Sequence, residues 1–390
     1  MGQYTPEAIA ETTFMIFICI LASFGNISLF IVVFTNSNLK SISNYYVLSL
    51  AAADLMVVLV SGPVTASSML KGKWEFGETA CTLFGFITLL TFVASVNSLA
   101  TIALNRYFFI VKWKEYKNIF NKRRSFLYGA CTWGFSIFIS ILPLFGWGKF
   151  DYIPEKSYCF VLWPANVYYM YFMVIICFCG PLSAMLICYY KILTFTRNLK
   201  RKLFMSKTNP SSKKKFFKRE ARVVSPEETK LTNTLLIVVA CFVFCWAPFA
   251  ITMFFDVYHP HPIPREVHVG SLLLGYLNSM CNPILYGLRN TSFKKGFKNL
   301  YAKCLPCLIR KEEVSYFQSS IDGSENDSNK SKTTKDSYCF KNSFENVIEN
   351  KEVPAEEQEC HHPSIIFNHR VSPTFKDVGV FLSEKRVTTV

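Results

Sequence analysis

The chain has 390 residues, a formal net charge of +15 and a mean hydropathy of +0.24. Hydrophobic residues make up 51% of it and charged residues only 18%, which is too apolar for an ordinary soluble protein of this length. A basic chain can also bind nucleic acid. Here, however, nearly all basic residues lie outside the long apolar runs, in the segments that flank them, which disfavours nucleic acid as a partner and points to a membrane protein with polar loops.

Seven apolar runs are long enough to cross a bilayer as helices, because about 20 residues span its hydrocarbon core. The seventh is interrupted by Asn278, Asn282 and Pro283, so a hydropathy scan alone could miss it. We therefore predict an all-α membrane protein, a bundle of seven transmembrane helices. The predicted spans are Thr12–Phe34, Asn44–Met69, Thr82–Val111, Phe126–Trp147, Val167–Ile192, Leu231–Val257 and Val267–Leu288.

Lysine and arginine are concentrated in the loops after the first, third and fifth runs and are scarce in the other loops. Because basic loops stay in the cytoplasm, we expect an extracellular N-terminus and a cytoplasmic C-terminus. The first run is too long for a cleaved signal peptide, so it is expected to be a signal anchor. The predicted regions are a short extracellular N-terminus (1–11), the transmembrane domain (12–288), an amphipathic helix (289–308) and a cytoplasmic tail (309–390).

Cys81 and Cys159 are the two cysteines, of fourteen, that this topology places outside the cell. An oxidising exterior favours a disulfide bond between them. Two free thiols are the alternative.

The third run ends in an unusual polar pair, Asn105 and Arg106. At about 1.5 Å per helical residue, Arg106 stands roughly 37 Å from Cys81, just past a hydrocarbon core of about 30 Å. An arginine at this inner rim either anchors the helix end in the headgroups or faces the bundle interior and has a functional role.

Asn105-Arg106-Tyr107 resembles the Asp/Glu-Arg-Tyr motif of rhodopsin-like G-protein-coupled receptors, and other motifs follow in that family's order. The resemblance covers about Phe17 to Leu308 and is closest in impression to opsins and melatonin receptors. The ordered set is far more specific than any one motif. It comprises Gly25-Asn26, Leu50–Asp54, Trp74–Gly77, Trp133, Pro181, Tyr189, Phe242, Cys245–Pro248 and Asn282–Tyr286.

This resemblance implies a receptor of the plasma membrane, not an enzyme, which binds an extracellular ligand and activates a heterotrimeric G protein by opening the cytoplasmic side of spans three and six. A transporter or channel would be expected to show internal repeats or charges along a pore, and the sequence shows neither. The implied switch residues are Asn105, Arg106, Tyr107, Tyr189, Glu228, Phe242, Trp246, Pro248, Asn282, Pro283 and Tyr286.

Within this set, Glu228 matches the family's partner for the arginine in the inactive state. Asn105 departs from the family, because the usual acid beside the arginine is missing. One restraint is then lost, and we expect measurable signalling without ligand.

The ligand pocket is expected between spans three, five, six and seven. Thr88 stands where amine receptors carry an aspartate, which disfavours a monoamine ligand. Tyr276 stands where opsins carry the retinal-binding lysine, and a Schiff base needs a primary amine, so retinal cannot be bound covalently. A small, mostly neutral ligand suits the pocket; a peptide ligand, a lysine-less light sensor and a constitutively active receptor are alternatives. The predicted ligand-binding residues are Phe84, Thr88, Phe92, Met173, Trp246, Phe249, Met253 and Tyr276.

A sodium ion is a further implication of the resemblance, although no cofactor is required. The residues that match the family's sodium ligands all carry side-chain oxygen, which hard cations prefer. A hydrogen-bonded cluster without an ion is the alternative. The matching residues are Asp54, Ser95, Asn278, Ser279 and Asn282.

The cytoplasmic regions suggest further partners. Cys304 and Cys307 are candidate palmitoylation sites or free thiols, and the basic third inner loop either contacts acidic lipids or is simply solvated. Beyond Lys311 the chain reads as disordered, and its end, Thr388-Thr389-Val390, fits a PDZ domain. By resemblance, receptor kinases and then arrestin would act on Ser319, Ser320, Ser324, Ser328, Ser331, Thr333 and Thr334.

Overall fold

The computed structural model of the chain describes residues 5–207, 226–259 and 263–304, without the side chains of 203–207, 226–228 and 303–304. Seven long helices, α1–α7, pack into a bundle, and a shorter helix, α8, follows. The helices are α1 (Pro6–Thr35), α2 (Ile42–Lys71), α3 (Gly77–Ile110), α4 (Lys122–Ile141), α5 (Val167–Met173 and Gly180–Lys207), α6 (Pro226–Tyr258), α7 (Arg265–Arg289) and α8 (Thr291–Cys304).

The predicted all-α bundle is confirmed, with corrections at some helix ends. α1 begins at Pro6 rather than Thr12, because Thr5 accepts a hydrogen bond from the Ala8 amide at 3.2 Å and a proline occupies the first helical position. The third helix ends at Ile110, one residue before its predicted end. The fourth ends in the 3-10 turn Leu142–Phe145, short of the predicted Trp147, because Gly146 takes a left-handed conformation.

Within the described ranges, six helices are long and apolar enough to cross a membrane, and α7 is not among them. The reason is the one that its sequence suggests: polar residues interrupt its apolar run. Asn278, Ser279 and Asn282 are nevertheless all buried. α7 packs chiefly against α6 and α1, so its polar stripe faces the bundle interior.

Prolines lie within four of the helices, and two of these helices depart from regular geometry close to the proline. α2 and α5 each contain a π-helical turn, Val57–Ser61 and Val174–Cys179, close to the prolines at positions 63 and 181. Pro248 and Pro283 lie inside α6 and α7. Because proline removes a backbone hydrogen bond, these are the places where the bundle can bend.

A hairpin in the second outer loop closes the outer end of the bundle. Its strands, β1 (Phe150–Ile153) and β2 (Tyr158–Val161), are antiparallel and joined by the 3-10 turn Pro154–Lys156. A disulfide bond joins Cys159 of β2 to Cys81 of α3, with 5.2 Å between their Cα atoms. The predicted disulfide is therefore confirmed, and it fixes the hairpin to the start of α3.

The hydrophobic core has two halves. An inner cluster contains Tyr189, Phe242 and Tyr286, and an outer cluster contains residues such as Met173 and Phe249. Phe92 and Trp246 pack against both clusters. A change in the position of Trp246 is therefore felt in both halves.

We predict that the contact between α1 and α7 tolerates no side chain at Gly25. A Cβ atom there would stand 2.6 Å from Cγ of Pro283, so Gly25→Ala should destabilise the receptor by about 1–3 kcal/mol through overpacking. The matched control is Gly129→Ala on α4, where the described residues leave an added Cβ with nothing within 4 Å. Thermal unfolding of both variants in detergent would show equal melting temperatures if this contact were unimportant.

Candidate ligand pocket and cytoplasmic switch

A small cavity of about 30 Å³ lies between α2, α3, α6, α7 and the hairpin. Its outer walls are mostly aromatic and its inner floor is polar. The volume suffices for water-sized molecules and falls far below the several hundred Å³ of an open ligand pocket. The lining residues are Ala53, Asp54, Val57, Thr88, Thr91, Phe92, Ser95, Tyr158, Phe160, Trp246, Phe249, Leu272, Gly275, Tyr276, Asn278 and Ser279.

Five of the eight predicted ligand-binding residues line this cavity: Thr88, Phe92, Trp246, Phe249 and Tyr276. Met173 and Met253 do not line it but are buried in the outer core cluster. Phe84 stands at the outer rim, where its ring packs edge-on against Trp74 at 6.1 Å. Ligand contact by any of the eight residues remains a prediction.

The hairpin explains why the cavity is small. Tyr158 and Phe160 of β2 stack on each other with ring centroids 5.4 Å apart. Phe160 then meets Phe249 of α6 edge-on at 5.8 Å, and Phe249 meets Trp246 at the same distance. Aromatic side chains of the loop thus occupy space between the helices.

Lys156, in the turn of the hairpin, is fully buried. Its Nζ lies 2.7 Å from Oδ2 of Asp256 on α6 and 5.0 Å from the ring centroid of Phe249. Burial lowers the pKa of Lys156, and the neighbouring Asp256 carboxylate opposes that shift. A buried ammonium is costly unless it is paired, so this ion pair holds the turn inside the bundle.

A second set of contacts extends from the same turn to α1 and α7. Arg265 of α7 donates a hydrogen bond to Ser157 Oγ at 3.3 Å and forms an ion pair with Glu11 of α1 at 2.8 Å. His268 of α7 lies 3.4 Å from the other carboxylate oxygen of Asp256. The hairpin turn is therefore connected to α1, α6 and α7 together.

This network was not predicted from the sequence. A lysine in an outer loop gives no sign that it will be buried, because loops are normally at the surface. Asp256 did offer a signal: a carboxylate at the end of an apolar run is expected to face the protein interior and a partner.

Two donors at the cavity have no hydrogen-bond partner among the described residues, Tyr158 Oη and Trp246 Nε1. Burial raises the pKa of Tyr158 well above its usual value, so this phenol stays protonated. Buried polar groups are nearly always satisfied. These donors are therefore suited to an acceptor atom of a bound molecule.

The polar floor brings together the residues predicted to surround sodium. Asp54 is 2% exposed and accepts hydrogen bonds from Ser279 Oγ at 2.9 Å and from Asn282 Nδ2 at 2.8 Å. Ser95 and Asn278 line the same cavity as Asp54. Ser95 Oγ is buried without a partner in the described chain. A carboxylate beside an unpartnered hydroxyl fits a small hard cation.

At the end of the bundle opposite the hairpin, Asn105 is fully buried and links three elements. Its Oδ1 accepts a hydrogen bond from Ser43 of α2 at 2.5 Å. Its amide group donates to the Tyr116 hydroxyl at 3.3 Å, on the short helix Trp113–Ile119 of the second inner loop. The sequence pattern did not suggest Ser43 or Tyr116 as partners.

Arg106 is only 9% exposed. It lines a second cavity of about 270 Å³, together with Ser43, Tyr116, Lys230 and Arg289. This cavity opens at the end of the bundle opposite the hairpin, where α3 and α7 end and α2 and α6 begin. An inward-facing Arg106 agrees with a functional role of the Asn105-Arg106-Tyr107 motif rather than with a lipid anchor.

The structure describes the side chains of most of the other predicted switch residues, but not those of Glu228 and of several tail sites. Phe242, Tyr189 and Tyr286 are buried in the inner core cluster. The ammonium of Lys191 lies over the ring of Tyr107, 5.6 Å from the ring centroid. The side chains of Glu228 and Cys304, together with Cys307, the tail serines and threonines and Thr388–Val390, lie outside the described residues.

Comparisons with known proteins decide the family. The sequence matches the model of the 7 transmembrane receptor (rhodopsin family) over residues 25–286. The chain belongs to this family. Human 5-hydroxytryptamine receptor 4 is 30% identical to this receptor over 318 residues, which are 76% of this chain and 80% of the relative. Melatonin receptor type 1B-B of Danio rerio is 29% identical over 287 residues, which are 73% of this chain and 79% of the relative.

A solved structure agrees with the fold. Squid rhodopsin superposes with a TM-score of 0.69 at 22% identity, covering 78% of this receptor and 89% of that chain. The predicted resemblance to rhodopsin-like receptors is confirmed. The relatives are receptors rather than enzymes, and family membership implies a multi-pass plasma-membrane protein whose partners are heterotrimeric G proteins.

We predict that the buried pair Lys156–Asp256 stabilises the receptor more than an exposed pair on the same hairpin. Double-mutant cycles of Lys156→Met with Asp256→Asn should give a coupling free energy of about 1–3 kcal/mol. The control cycle, Lys149→Met with Asp151→Asn, concerns an exposed surface pair and should give a clearly smaller coupling, because water screens it. Thermal unfolding measures both. Equal couplings would mean that Lys156 is not held by its carboxylate.

Proposed function

We propose that this receptor responds to a small, mostly neutral extracellular ligand and activates a heterotrimeric G protein by opening the cytoplasmic ends of α3 and α6. The observation that carries the proposal is the position of Trp246, which borders the cavity and packs against both halves of the core. The disulfide-linked hairpin and the described basic loop between α3 and α4 lie at opposite ends of the bundle. This arrangement supports an extracellular N-terminus and a cytoplasmic C-terminus.

The chemistry of the cavity favours a neutral ligand. Amine ligands need an anion at the outer end of α3, and Thr88 there donates its hydroxyl to Ser61 Oγ at 2.9 Å. Asp256, the nearest outer carboxylate on α6, is already paired with Lys156. The unpartnered donors of Tyr158 and Trp246 suit a ligand that carries hydrogen-bond acceptors on an apolar body.

Signal transfer would start at the aromatic contacts of Trp246. Its ring centroid lies 4.6 Å from that of Phe92 on α3 and 6.3 Å from that of Phe242, one turn further in on α6. A ligand that displaces Trp246 must therefore shift Phe242, and Pro248 supplies the bend about which α6 can swing. The inner end of α6 then leaves Arg106, where the family pattern places Glu228 as its partner in the inactive state.

Constitutive activity is a second candidate, and the occupied pocket favours it. The aromatic side chains of Tyr158 and Phe160 fill the space that a ligand would take. A loop that fills the pocket can stabilise one bundle conformation without any diffusible ligand. No corresponding observation favours a light sensor, because Tyr276 is buried at the lysine position of opsins and faces Thr65, 3.4 Å away.

A sodium ion would bind at the polar floor. Asp54 and Ser95 would hold it directly, with Asn278, Ser279 and Asn282 completing an oxygen-rich surround. When bound, the ion would neutralise the Asp54 carboxylate and hold α2, α3 and α7 together. Palmitoylation of Cys304 and Cys307, kinases and arrestin at the tail, a PDZ domain at Thr388–Val390 and acidic lipids at the third inner loop rest on the sequence pattern alone.

We predict basal signalling that depends on Asn105 and Arg106. G-protein activation in cells without ligand should exceed that of mock-transfected cells, fall in Asn105→Asp because a carboxylate restrains Arg106, and disappear in Arg106→Ala. Asn166→Asp is the matched control, because an aspartate at this outer helix cap keeps the hydrogen bond to the Tyr169 amide. Basal activity at the mock level, with the receptor present at the cell surface, would contradict the proposal.

We predict that sodium stabilises the purified receptor and that Asp54→Asn abolishes this effect. Sodium chloride should raise the melting temperature more than choline chloride at equal ionic strength, because an ion that binds only the folded state stabilises it. Ser136→Ala is the control, since Ser136 is buried on α4 and bonds only its own helix in the described structure. Identical melting temperatures in the two salts would count against the site.

A further inference from the structure

Three cysteines of α6 and α7 meet inside the membrane segment. Cys241 and Cys245 lie one turn apart on α6, so they share a face, and Cys281 approaches them from α7. The three Sγ atoms all lie within 4.8 Å of one another. Within the described ranges no other set of three histidine, cysteine or carboxylate side chains converges in this way.

We propose that these three thiols bind a thiophilic d10 cation such as Zn²⁺, for which Cd²⁺ is a convenient probe. Thiolates are the ligands that select such ions, and a tetrahedral Zn–S distance of about 2.3 Å corresponds to sulfur atoms about 3.8 Å apart. The thiols need to close by no more than about 1 Å, which side-chain rotation on facing helices can supply.

The binding step balances without any redox partner. Each thiol that becomes a ligand loses its proton to bulk water, one sulfur–metal bond forms for each, and water fills the fourth position of a tetrahedral ion. A simple core role does not account for the whole set. Cys245 is buried, but Cys241 and Cys281 are only half-buried, and their sulfur atoms still converge on one point.

The position of the cluster predicts its effect on signalling. Cys245 directly precedes Trp246, and Cys281 directly precedes Asn282. The two helices are close here, since a Cβ at Gly275 of α7 would stand 3.3 Å from the Trp246 ring. An ion bound to both helices would link α6 to α7 where α6 must move, so it should lower basal G-protein activation.

The deciding experiment measures metal binding by the purified, reduced, full-length receptor, and it needs neither ligand nor G protein. Titration with Cd²⁺ should give a thiolate-to-metal charge-transfer band, and mass spectrometry should find one ion per receptor. Because loss of even an outer-shell partner weakens metal sites about 10–100-fold, Cys241→Ser and Cys281→Ser should each weaken binding by at least about tenfold.

The controls are Cys131→Ser on α4 and Cys179→Ser on α5, which replace exposed thiols and should bind Cd²⁺ like the original chain. Unchanged melting temperatures of the metal-free serine variants would show that the fold is intact. The proposal is overturned if all four variants bind Cd²⁺ equally, if no charge-transfer band develops, or if the unreduced receptor carries a disulfide bond among the three cysteines.

A cellular measurement tests the effect on signalling separately. A membrane-permeable zinc chelator should raise basal G-protein activation of the original receptor and leave Cys241→Ser unchanged. An equal response in both would show that the ion does not restrain α6. Because the binding assay is independent of signalling, failure of the proposed receptor function and failure of the metal site can be told apart.

Discussion

The architecture depends on one constraint: a polar group inside an apolar bundle must find its hydrogen-bond partner within the protein, because the bilayer offers none. In this receptor several of these partners belong to a different element of the fold. Asp54 of α2 is satisfied by α7, Asn105 of α3 by α2, and Lys156 of the outer hairpin by α6. The same contacts therefore fix the positions of the helices. They are also the contacts that any change in helix position must exchange, so stability and switching depend on the same few side chains.

The outer hairpin illustrates this double role. The disulfide bond fixes one strand to α3, and the ion pair and Arg265 hold the turn against α6, α7 and α1. A ligand that enters the aromatic cavity must displace Tyr158 and Phe160, and the turn cannot move outward without separating Lys156 from Asp256. His268 lies 3.4 Å from the other oxygen of that carboxylate. The outer ends of α6 and α7 and the hairpin turn therefore all meet at Asp256.

Local patterns in the sequence predict the helices, but they do not predict which side chains of separate elements meet. Apolar runs specify helices, so the seven spans could be predicted, whereas the start of α1 at Pro6 depends on a cap at Thr5 that hydropathy ignores. Five cavity residues could be placed because ordered motifs fix the register of each helix. The pairs Lys156–Asp256 and Ser43–Asn105, and the three thiols of α6 and α7, could not. Each joins residues from separate elements, and many serines, lysines and cysteines of the chain would have been equally good candidates. Two partial signals were present: the spacing of Cys241 and Cys245, one turn apart, and the position of Asp256 at the end of an apolar run.

Asn105 stands where the family carries an acid, and its hydrogen-bond partners show what the amide does in place of the acid. A carboxylate at this position can only accept hydrogen bonds, and it would attract the adjacent guanidinium. The amide both accepts and donates, and it uses these two capacities to join α2 to α3 through Ser43 and α3 to the second inner loop through Tyr116. The restraint is therefore redirected rather than removed: a charge interaction with Arg106 is exchanged for neutral links between three elements. Because those links do not involve α6, they hold this end of α3 without restraining α6. Under the proposed mechanism, the contacts of α6 itself would then determine how often the receptor opens without ligand.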